Sequence, residues 1–291
     1  MNHTIQNAFL KVEVAELGAE LQSIQNVDGK EFLWQGTAPY WHQRAINLFP
    51  FVGRLTDGCC RMDGKEYPMP AHGFAPETAF TLAKKGEDCL VFTLTDNEKT
   101  YAMYPRHFAF RVCYRLVENT VAVTYEVENR DERVMYFGLG GHPGFRVPMD
   151  EGGDFSDYRL RFTKPCKPKK VDFTEKCFIT ETQSDFPLAQ DQFLPLTHSL
   201  FDNDAIVLTD MPREVTLEKV GGKHSVRVTF SQMPYVGFWH TTKSDAPFVC
   251  IEPWCSLPST QDVVAEMETK KDLLSLAPGE TYVNNWSITI K

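Results

Sequence analysis

Four polar side chains of this sequence stand at the ends of apolar, strand-like runs: Arg54, His72, His142 and Glu252. Carboxylates and imidazoles are the usual proton carriers in general acid–base catalysis, and an arginine is a permanent cation that can hold an oxygen atom. The sequence has no Ser or Cys in a nucleophile elbow and no glycine-rich phosphate loop. If the four residues meet, they favour proton transfer on a neutral, polar molecule.

The stretch 136–148 presents His142 between paired glycines and Pro143. It begins apolar and β-prone, and its composition then predicts a strand that delivers one imidazole into a tight, backbone-rich bend. A histidine has an unperturbed pKa of about 6.5, so a rigidly held one can act as a general acid or base. A hydrogen-bonded structural histidine at a strand end is the competing interpretation.

Glu252 follows the apolar run 248–251 and precedes Pro253. A glutamate is seldom fully buried without a partner, and desolvation raises its pKa towards the range that is useful for proton transfer. A solvated glutamate at a strand end, or one member of a structural ion pair, is the alternative. Two histidines and a glutamate could also bind a metal. Because neither His-x-His nor His-Glu-x-x-His spacing occurs, we expect no metal site.

Composition narrows the range of partners. The 291 residues carry a net charge of −9 without any long run of Lys or Arg, which argues against a nucleic-acid partner. The amino terminus resembles no export signal and no apolar run reaches membrane-spanning length, so we expect a cytoplasmic protein without a membrane partner. The eight cysteines are scattered without a Cys-x-x-Cys motif, which is typical of small buried side chains in a reducing compartment.

The secondary-structure pattern predicts a single all-β domain over residues 1–291. Runs such as 108–116 and 121–128 alternate apolar and polar residues with the period of two that half-buried strands show. Asp28-Gly29 and Asp63-Gly64 predict hairpin turns, and only 97–103, after a possible Asp96 cap, reads as a short helix. The proline-containing segment 164–200 reads as an excursion with short hairpins. No βαβ alternation is present, so a large antiparallel β-sandwich is the expected fold.

Several segments, spread over nearly the whole chain, resemble the aldose 1-epimerase family, the galactose mutarotase-like proteins. The resemblance is greatest to their shorter bacterial branch, which is associated with lactose and related sugar operons. The segments that carry it occur in the family's order: 48–55 (Leu-Phe-Pro-Phe-Val-Gly-Arg-Leu) with Gly58 and 62–67 after it, 72–75 (His-Gly-Phe-Ala), 141–145 (Gly-His-Pro-Gly-Phe), 201–206 (Phe-Asp-Asn-Asp-Ala-Ile) and 249–254 (Val-Cys-Ile-Glu-Pro-Trp).

The resemblance implies a role for each matching residue. The family's catalytic base falls on Glu252 and its catalytic acid on His142, and no cofactor or metal is implied. Residues that match substrate-binding positions, or lie beside the base, are Arg54, His72, Asp204 and Trp254. We prefer Asp204 to Asp202 because it directly precedes an apolar strand. The asparagine that the galactose-type pattern has before the arginine is Gly53 here, so one hydrogen-bonding group is absent.

These roles predict a mutarotase that interconverts the α and β anomers of a hexose and works as a monomer or homodimer. Candidates for an apolar surface under the sugar ring are Trp34, Trp41, Phe74, Trp239 and Trp254. A hexose-6-phosphate mutarotase is the alternative, with Arg44, Arg106 or Arg146 as basic residues at the rim of the pocket. The other alternative is a carbohydrate-binding module that keeps the fold without catalysis.

Overall fold

The structure is a computed structural model that describes residues 1–291, and nearly all of its regular elements are strands. In chain order the strands are β1 (Asn2–Gln6), β2 (Leu10–Ala15), β3 (Leu21–Asn26), β4 (Ala45–Leu48), β5 (Cys59–Met62), β6 (Lys65–Pro68), β7 (Thr81–Lys85), β8 (Cys89–Thr95), β9 (Phe108–Val117), β10 (Thr120–Asn129), β11 (Met135–Phe137), β12 (Gly140–Arg146), β13 (Tyr158–Phe162), β14 (Lys169–Phe173), β15 (Ile179–Asp185), β16 (Phe193–Pro195), β17 (Ile206–Thr209), β18 (Glu214–Lys219), β19 (Ser225–Thr229), β20 (Tyr235–Trp239), β21 (Phe248–Trp254), β22 (Ala265–Glu266), β23 (Leu274–Leu276) and β24 (Thr281–Ile290).

Two large antiparallel sheets organise these strands. A nine-stranded sheet has the order β16-β13-β18-β19-β24-β10-β9-β8-β7, and a seven-stranded sheet has the order β15-β14-β17-β20-β21-β12-β4. Smaller sheets are formed by β1-β2-β3, by β22-β5-β6 and by β11-β23, and only the β22–β5 pair is parallel. The predicted fold class, an all-β antiparallel sandwich, is confirmed.

The alternating sequence of β9 shows why such strands form. Phe108, Phe110 and Val112 are buried in the core, while Arg111 lies on the opposite face of the sheet. There Arg111 pairs with Glu126 and Glu128 of the neighbouring strand β10. One face of the strand is therefore stabilised by burial of apolar area and the other by cross-strand charge pairs.

The only α-helix, α1 (Glu98–Met103), begins one residue later than predicted. Its N-cap is Asn97, whose side chain accepts hydrogen bonds from the backbone N–H groups of Lys99 and Thr100. The suggested cap, Asp96, instead accepts from the backbone N–H of Phe108. Four single-turn 3₁₀ helices complete the helical elements: Thr56–Gly58, Ala75–Glu77, Phe155–Asp157 and His198–Phe201. No helix has the length and apolar character that crossing a bilayer requires.

The predicted hairpins have different outcomes. Asp63 and Gly64 form the turn between β5 and β6, as the sequence predicts. After Asp28-Gly29 no second strand forms, because Glu31 makes only an isolated bridge to Gln25. The 164–200 segment contains the β14–β15 hairpin, which extends the edge of the seven-stranded sheet next to β17, as expected for an excursion with short hairpins.

The prediction of a bend around His142 is wrong, because 140–146 is one continuous strand, β12. It pairs with β21 on one side and with β4 on the other. Its glycines provide clearance where a turn was expected. A Cβ atom on Gly141 would lie 2.8 Å from the ring of Trp286 of the opposite sheet, and one on Gly140 would lie 2.9 Å from the backbone oxygen of Pro253. The missing side chains let β12 approach both neighbours.

A buried hydrogen-bond network ties β4 to the nine-stranded sheet through Asn47, which is 1% exposed. The side-chain amide donates to the backbone oxygens of Gly18 at 2.9 Å and Ala19 at 3.0 Å. Its oxygen accepts from the hydroxyl of Tyr125 at 2.7 Å, and the Tyr114 hydroxyl lies 3.0 Å from its nitrogen. All the polar atoms of Asn47 are therefore satisfied inside the core.

We expect Asn47→Ala to lower the free energy of unfolding by about 1–3 kcal/mol, because it leaves the Tyr125 hydroxyl and the Gly18 carbonyl buried without partners, whereas the Ala19 carbonyl keeps the Tyr114 hydroxyl. Urea denaturation followed by tryptophan fluorescence measures this change. The exposed Asn285→Ala is the matched control, and its effect should stay within about 0.5 kcal/mol. An Asn47→Ala protein as stable as the control variant would contradict the prediction.

Candidate functional site

The strand pairing of the seven-stranded sheet places His142 beside Glu252. Strands β12 and β21 run antiparallel with Gly140 opposite Trp254, and the same register sets His142 opposite Glu252. Side chains in register across a sheet point to the same face, so both lie on the face that lines a cavity.

The two neighbouring strands leave space above this pair. Gly237 of β20 is the register partner of Glu252 and adds no side chain to the cavity wall. Ile46 of β4 is the partner of His142 and gives the cavity an apolar wall. The cavity has a volume of about 470 Å³, within the size range of small-molecule sites.

The structure brings all six predicted site residues to this one cavity. They come from four distant parts of the chain and are Arg54, His72, His142, Asp204, Glu252 and Trp254. Asp202, the alternative to Asp204, lies outside this cavity and lines a neighbouring one. The convergence is a geometric result, and the role of each residue stays a prediction.

His142 and Glu252 form the buried centre of the site. The Nε2 atom of His142 lies 3.1 Å from an oxygen of Glu252, but the two groups lack the alignment of a hydrogen bond. The residues are 7% and 1% exposed. At this separation a small rotation of either side chain brings the two groups into hydrogen-bond alignment, so that a proton can transfer between them.

Burial shifts the pKa values of the two groups towards each other. Desolvation raises the pKa of Glu252 well above its usual value, the charge of Asp204 adds to this, and Trp254 opposes it. Desolvation also lowers the pKa of His142 well below its usual value, and His72 contributes in the same direction. Burial therefore works against the charged form of each group.

Aromatic rings around His142 explain its desolvation. The ring of Trp41 lies 4.7 Å from the imidazole centroid and that of Trp239 lies 5.7 Å away. The His72 ring meets the imidazole edge-on at 5.4 Å. These three rings exclude water from most of the imidazole surface.

His72 is held in a defined orientation by Gly53. Its Nδ1 atom accepts a hydrogen bond from the Gly53 backbone N–H at 3.2 Å, and its own backbone N–H donates to the Gly53 carbonyl at 2.9 Å. Burial and the nearby Arg54 lower the pKa of His72 to about 4, although Asp204 opposes the shift. In this neutral tautomer the proton is on Nε2, so that atom is a hydrogen-bond donor.

Arg54 and Asp204 supply opposite charges at the mouth of the cavity. The guanidinium of Arg54 is exposed and makes no ion pair or hydrogen bond within the chain. Asp204 is partly exposed and has a left-handed backbone conformation with φ of 76°. An unpaired guanidinium and a carboxylate can together hold hydroxyl groups as acceptors and donors.

Gly53, where the family pattern has an asparagine, packs directly against the ring of Pro258, which leaves no room for a side chain. A Cβ atom there would lie 2.3 Å from the Pro258 ring, and the φ of Gly53 is +73°. Both features require glycine at this position. Pro258 also lines the cavity, so its ring occupies the region that a side chain at position 53 would otherwise reach.

Several buried polar atoms of the cavity wall have no hydrogen-bond partner. They are Nδ1 of His142, both carboxyl oxygens of Glu252 and Nε1 of Trp254. Each buried polar group without a partner costs about 1–3 kcal/mol, and such groups are rare in folded proteins. Their concentration at one cavity indicates a ligand that offers both donors and acceptors.

The predicted aromatic residues divide into two groups. Trp41, Trp239 and Trp254 line the cavity. Trp34 stacks on Phe248 at 4.6 Å, and Phe74 packs in the core against Phe49. The first group alone can contact a ligand.

Sequence reasoning missed the wall that the β14–β15 hairpin provides, which includes Phe173 and Cys177. Cys177 lies in the turn of that hairpin, and burial and the neighbouring Asp204 carboxylate raise its thiol pKa to about 11. The sequence predicted that the segment 164–200 is an excursion with short hairpins. No local pattern indicated that this segment folds over a cavity.

The basic residues suggested for a phosphate-binding rim do not line the cavity. Arg106 is 2% exposed, and its guanidinium binds Asp63 and the backbone oxygen of Val134. Arg44 donates to the backbone oxygen of Gln22. Neither of these residues nor Arg146 contributes to the cavity wall.

One group of side chains could hold a metal ion. The ligand atoms of His142, Cys250 and Glu252 lie within 4.8 Å of one another, and all three residues are buried. A nitrogen, a thiolate and a carboxylate form a donor set that suits Zn²⁺. The sequence analysis considered histidine and glutamate ligands but not Cys250, because only the pairing of β12 with β21 brings this thiol beside His142.

Comparison with known proteins identifies the family. The family model for aldose 1-epimerase matches residues 1–289. Protein LacX, plasmid, of Lactococcus lactis subsp. lactis is 32% identical over 301 residues, which cover 100% of this chain and 99% of that protein. The chain belongs to the aldose 1-epimerase family, as its sequence motifs predict.

Solved structures of related proteins have the same fold. A galactose mutarotase related enzyme from Lactobacillus acidophilus has a TM-score of 0.95 and 32% identity, covering 100% of this chain and 97% of that one. A galactose mutarotase-like protein from Lactobacillus casei ATCC 334 has a TM-score of 0.93 and 31% identity, covering 100% of both chains.

We expect the imidazole of His142 to stay neutral in the free protein at pH values where an exposed histidine is already protonated. The reason is that burial penalises the charged form. Nitrogen-15 NMR of labelled histidine measures the protonation state, and His142→Asn identifies the resonance. A His142 signal that titrates at or above the usual histidine pKa would be inconsistent with this environment.

Proposed function

We propose that this protein is an aldose 1-epimerase that interconverts the α and β anomers of a reducing sugar. The observation that carries the proposal is the buried His142–Glu252 pair, whose polar atoms face a small-molecule cavity without partners. Membership of the aldose 1-epimerase family supports it. The reaction needs one proton acceptor and one proton donor on either side of the anomeric carbon, and the pair has both.

In the proposed reaction Glu252 takes the proton from the C1 hydroxyl while His142 gives a proton to the ring oxygen. The C1–ring-oxygen bond breaks, and the open-chain aldehyde rotates about the C1–C2 bond. Closing the ring reverses both transfers, so Glu252 returns its proton to the new C1 hydroxyl. Each positioned group contributes about 10²- to 10⁴-fold to such a rate.

The two ionisation states of the pair carry the same number of protons. A carboxylic acid with a neutral imidazole becomes a carboxylate with an imidazolium when one proton crosses the 3.1 Å between them. Sugar hydroxyls that enter the cavity donate to the carboxylate and accept from the imidazolium, which favours the charged form. Substrate binding itself thus prepares the base and the acid.

The remaining residues hold the sugar. The Nε2–H of His72 and the guanidinium of Arg54 donate to sugar oxygens, and the carboxylate of Asp204 accepts from hydroxyl groups. Trp254, at the end of the strand that carries Glu252, offers an indole N–H and an apolar ring face. The eight cysteines are all free thiols, which supports a cytoplasmic location for this activity.

Glu252→Gln should lower kcat by at least about 10²-fold and leave sugar affinity nearly unchanged, because the amide keeps the shape but accepts no proton. His142→Asn should have a similar effect. The double variant should be far less impaired than the product of the single effects, since the two residues act as a unit. Polarimetry on freshly dissolved α-glucose and α-galactose measures the rates.

Glu87→Gln, at an exposed position, is the matched control for removal of one carboxylate and should keep the wild-type rate. A Glu252→Gln protein that folds, binds sugar and equilibrates anomers at the wild-type rate would show that Glu252 is not the base. Sugar binding by a wild-type protein that never accelerates the reaction would favour a carbohydrate-binding module.

Zinc should inhibit the enzyme, because Zn²⁺ binds the same lone pairs of His142 and Glu252 that carry protons in the reaction. EDTA should leave the untreated enzyme fully active and reverse the inhibition. Cys250→Ala removes the third ligand, so it should weaken zinc inhibition while the basal rate stays. Activity lost to EDTA and restored by zinc would contradict the proton-transfer mechanism.

A further inference from the structure

No hydrogen bond holds the imidazole of His142 in its orientation. Its Nδ1 atom is buried without a partner, and its Nε2 atom faces Glu252 without hydrogen-bond alignment. A hydrogen bond to one ring nitrogen is the usual way to orient a catalytic histidine, because the torsion that turns the ring has only a weak preference of its own. Contacts with neighbouring side chains must therefore set the plane of this imidazole.

The ring that lies closest to this imidazole is that of Trp41, at 4.7 Å between centroids. The other two rings have firm supports, since Trp239 belongs to the strand β20 and His72 is held by the hydrogen bonds described above. Trp41 instead lies in the irregular segment 35–44, which we call the Trp41 loop. The contacts of this loop decide where the indole lies.

Both ends of the Trp41 loop are hydrogen-bonded to Gly144 of β12. The Gly144 backbone N–H donates to the carbonyl of Arg44, and its carbonyl accepts from the backbone N–H of Trp34, both at 2.8 Å. Gly144 comes two residues after His142, so the two positions share one face of the strand. A Cβ atom on Gly144 would lie 3.3 Å from the Trp41 ring. The glycine therefore leaves the space beside His142 in which the indole packs.

Hydrogen bonds also orient Trp41 within its loop. The indole N–H of Trp34 donates to the backbone oxygen of Trp41 at 2.8 Å, and the indole N–H of Trp41 donates to the side-chain oxygen of Gln43 at 3.3 Å. Gln43 in turn donates to Glu77 at 3.0 Å. These contacts hold the side of the loop that is next to β4.

The tip of the Trp41 loop is attached through Tyr40. Its hydroxyl donates to the carboxylate of Asp245, which lies in the connection between β20 and β21. Those two strands carry Trp239 and Glu252. One charge-assisted hydrogen bond thus joins the loop to the part of the sheet that carries the base.

We propose that Tyr40 and Asp245 are positioning residues of the reaction, because their hydrogen bond keeps the Trp41 ring against His142 and so holds the imidazole ready for proton transfer. Neither residue lines the cavity, so each acts through Trp41 and not on the sugar. The inference rests on the proposed mutarotase function and adds the residues that keep its acid in place. A displacement of about 1 Å in a catalytic group can cost about 10²-fold in rate.

Tyr40→Phe removes the hydroxyl and keeps the ring, and Asp245→Ala removes the acceptor. Each should lower kcat by about threefold to tenfold, the effect of one lost hydrogen bond, and leave KM nearly unchanged. The double variant should be no slower than either single variant, because all three lack the same bond. Asp245→Asn keeps an acceptor oxygen and should restore most of the rate. Polarimetry on α-glucose measures both constants.

Proton NMR of the His142 ring measures its contact with the Trp41 ring without any sugar. The aromatic ring current shifts the imidazole signals, which His142→Asn identifies, and Trp41→Leu gives their positions without the indole. Tyr40→Phe and Asp245→Ala should move the signals part of the way towards those positions. Tyr67→Phe removes a tyrosine hydroxyl from β6 and is the matched control, which should change neither the signals nor kcat.

The inference would be overturned by a wild-type kcat in both Tyr40→Phe and Asp245→Ala, or by His142 signals that stay in place in both variants. A double variant whose loss of rate equals the product of the single effects would also overturn it, because the two residues would then act separately. Failure of the wild type to equilibrate any sugar would refute the mutarotase function instead. The NMR signals then decide whether the pair holds the imidazole.

Discussion

The site depends on the antiparallel register between β12 and β21. Because the register pairs Gly140 with Trp254, it sets His142 opposite Glu252 and turns both side chains to the cavity. A shift of one residue would send one of them to the core face. The register is protected on both sides, since β12 is held by β4 and β21 by β20. Because each strand is paired on both sides, the distance between His142 and Glu252 is fixed more firmly than it would be on a loop.

Desolvation is the second constraint, and it works in two ways. Rings from Trp41 and Trp239 exclude water from the imidazole of His142, which makes its charged form costly. The same exclusion strengthens any electrostatic contact that is made inside the cavity. Buried polar atoms without partners destabilise the free protein, whereas the network around Asn47 satisfies each of its atoms. The core is thus built for stability and the cavity for binding.

The fold was predictable because alternation in runs such as 108–116 directly reports a half-buried strand. The position of Glu252 after a buried run was readable for the same reason. The bend at His142 was predicted wrongly, because Gly and Pro have the same composition signature in a turn and in a tightly packed strand. The wall formed by Phe173 and Cys177 could not be predicted, since it arises from the way the 164–200 segment folds back over the sheet.

The contact between Gly53 and Pro258 also limits how the site can evolve. An asparagine at position 53 would overlap the proline ring and require an unfavourable backbone conformation. A side chain at position 53 therefore requires a smaller residue at position 258 as well as a left-handed backbone. The two positions are energetically coupled, so the effects of substitutions at them should be non-additive.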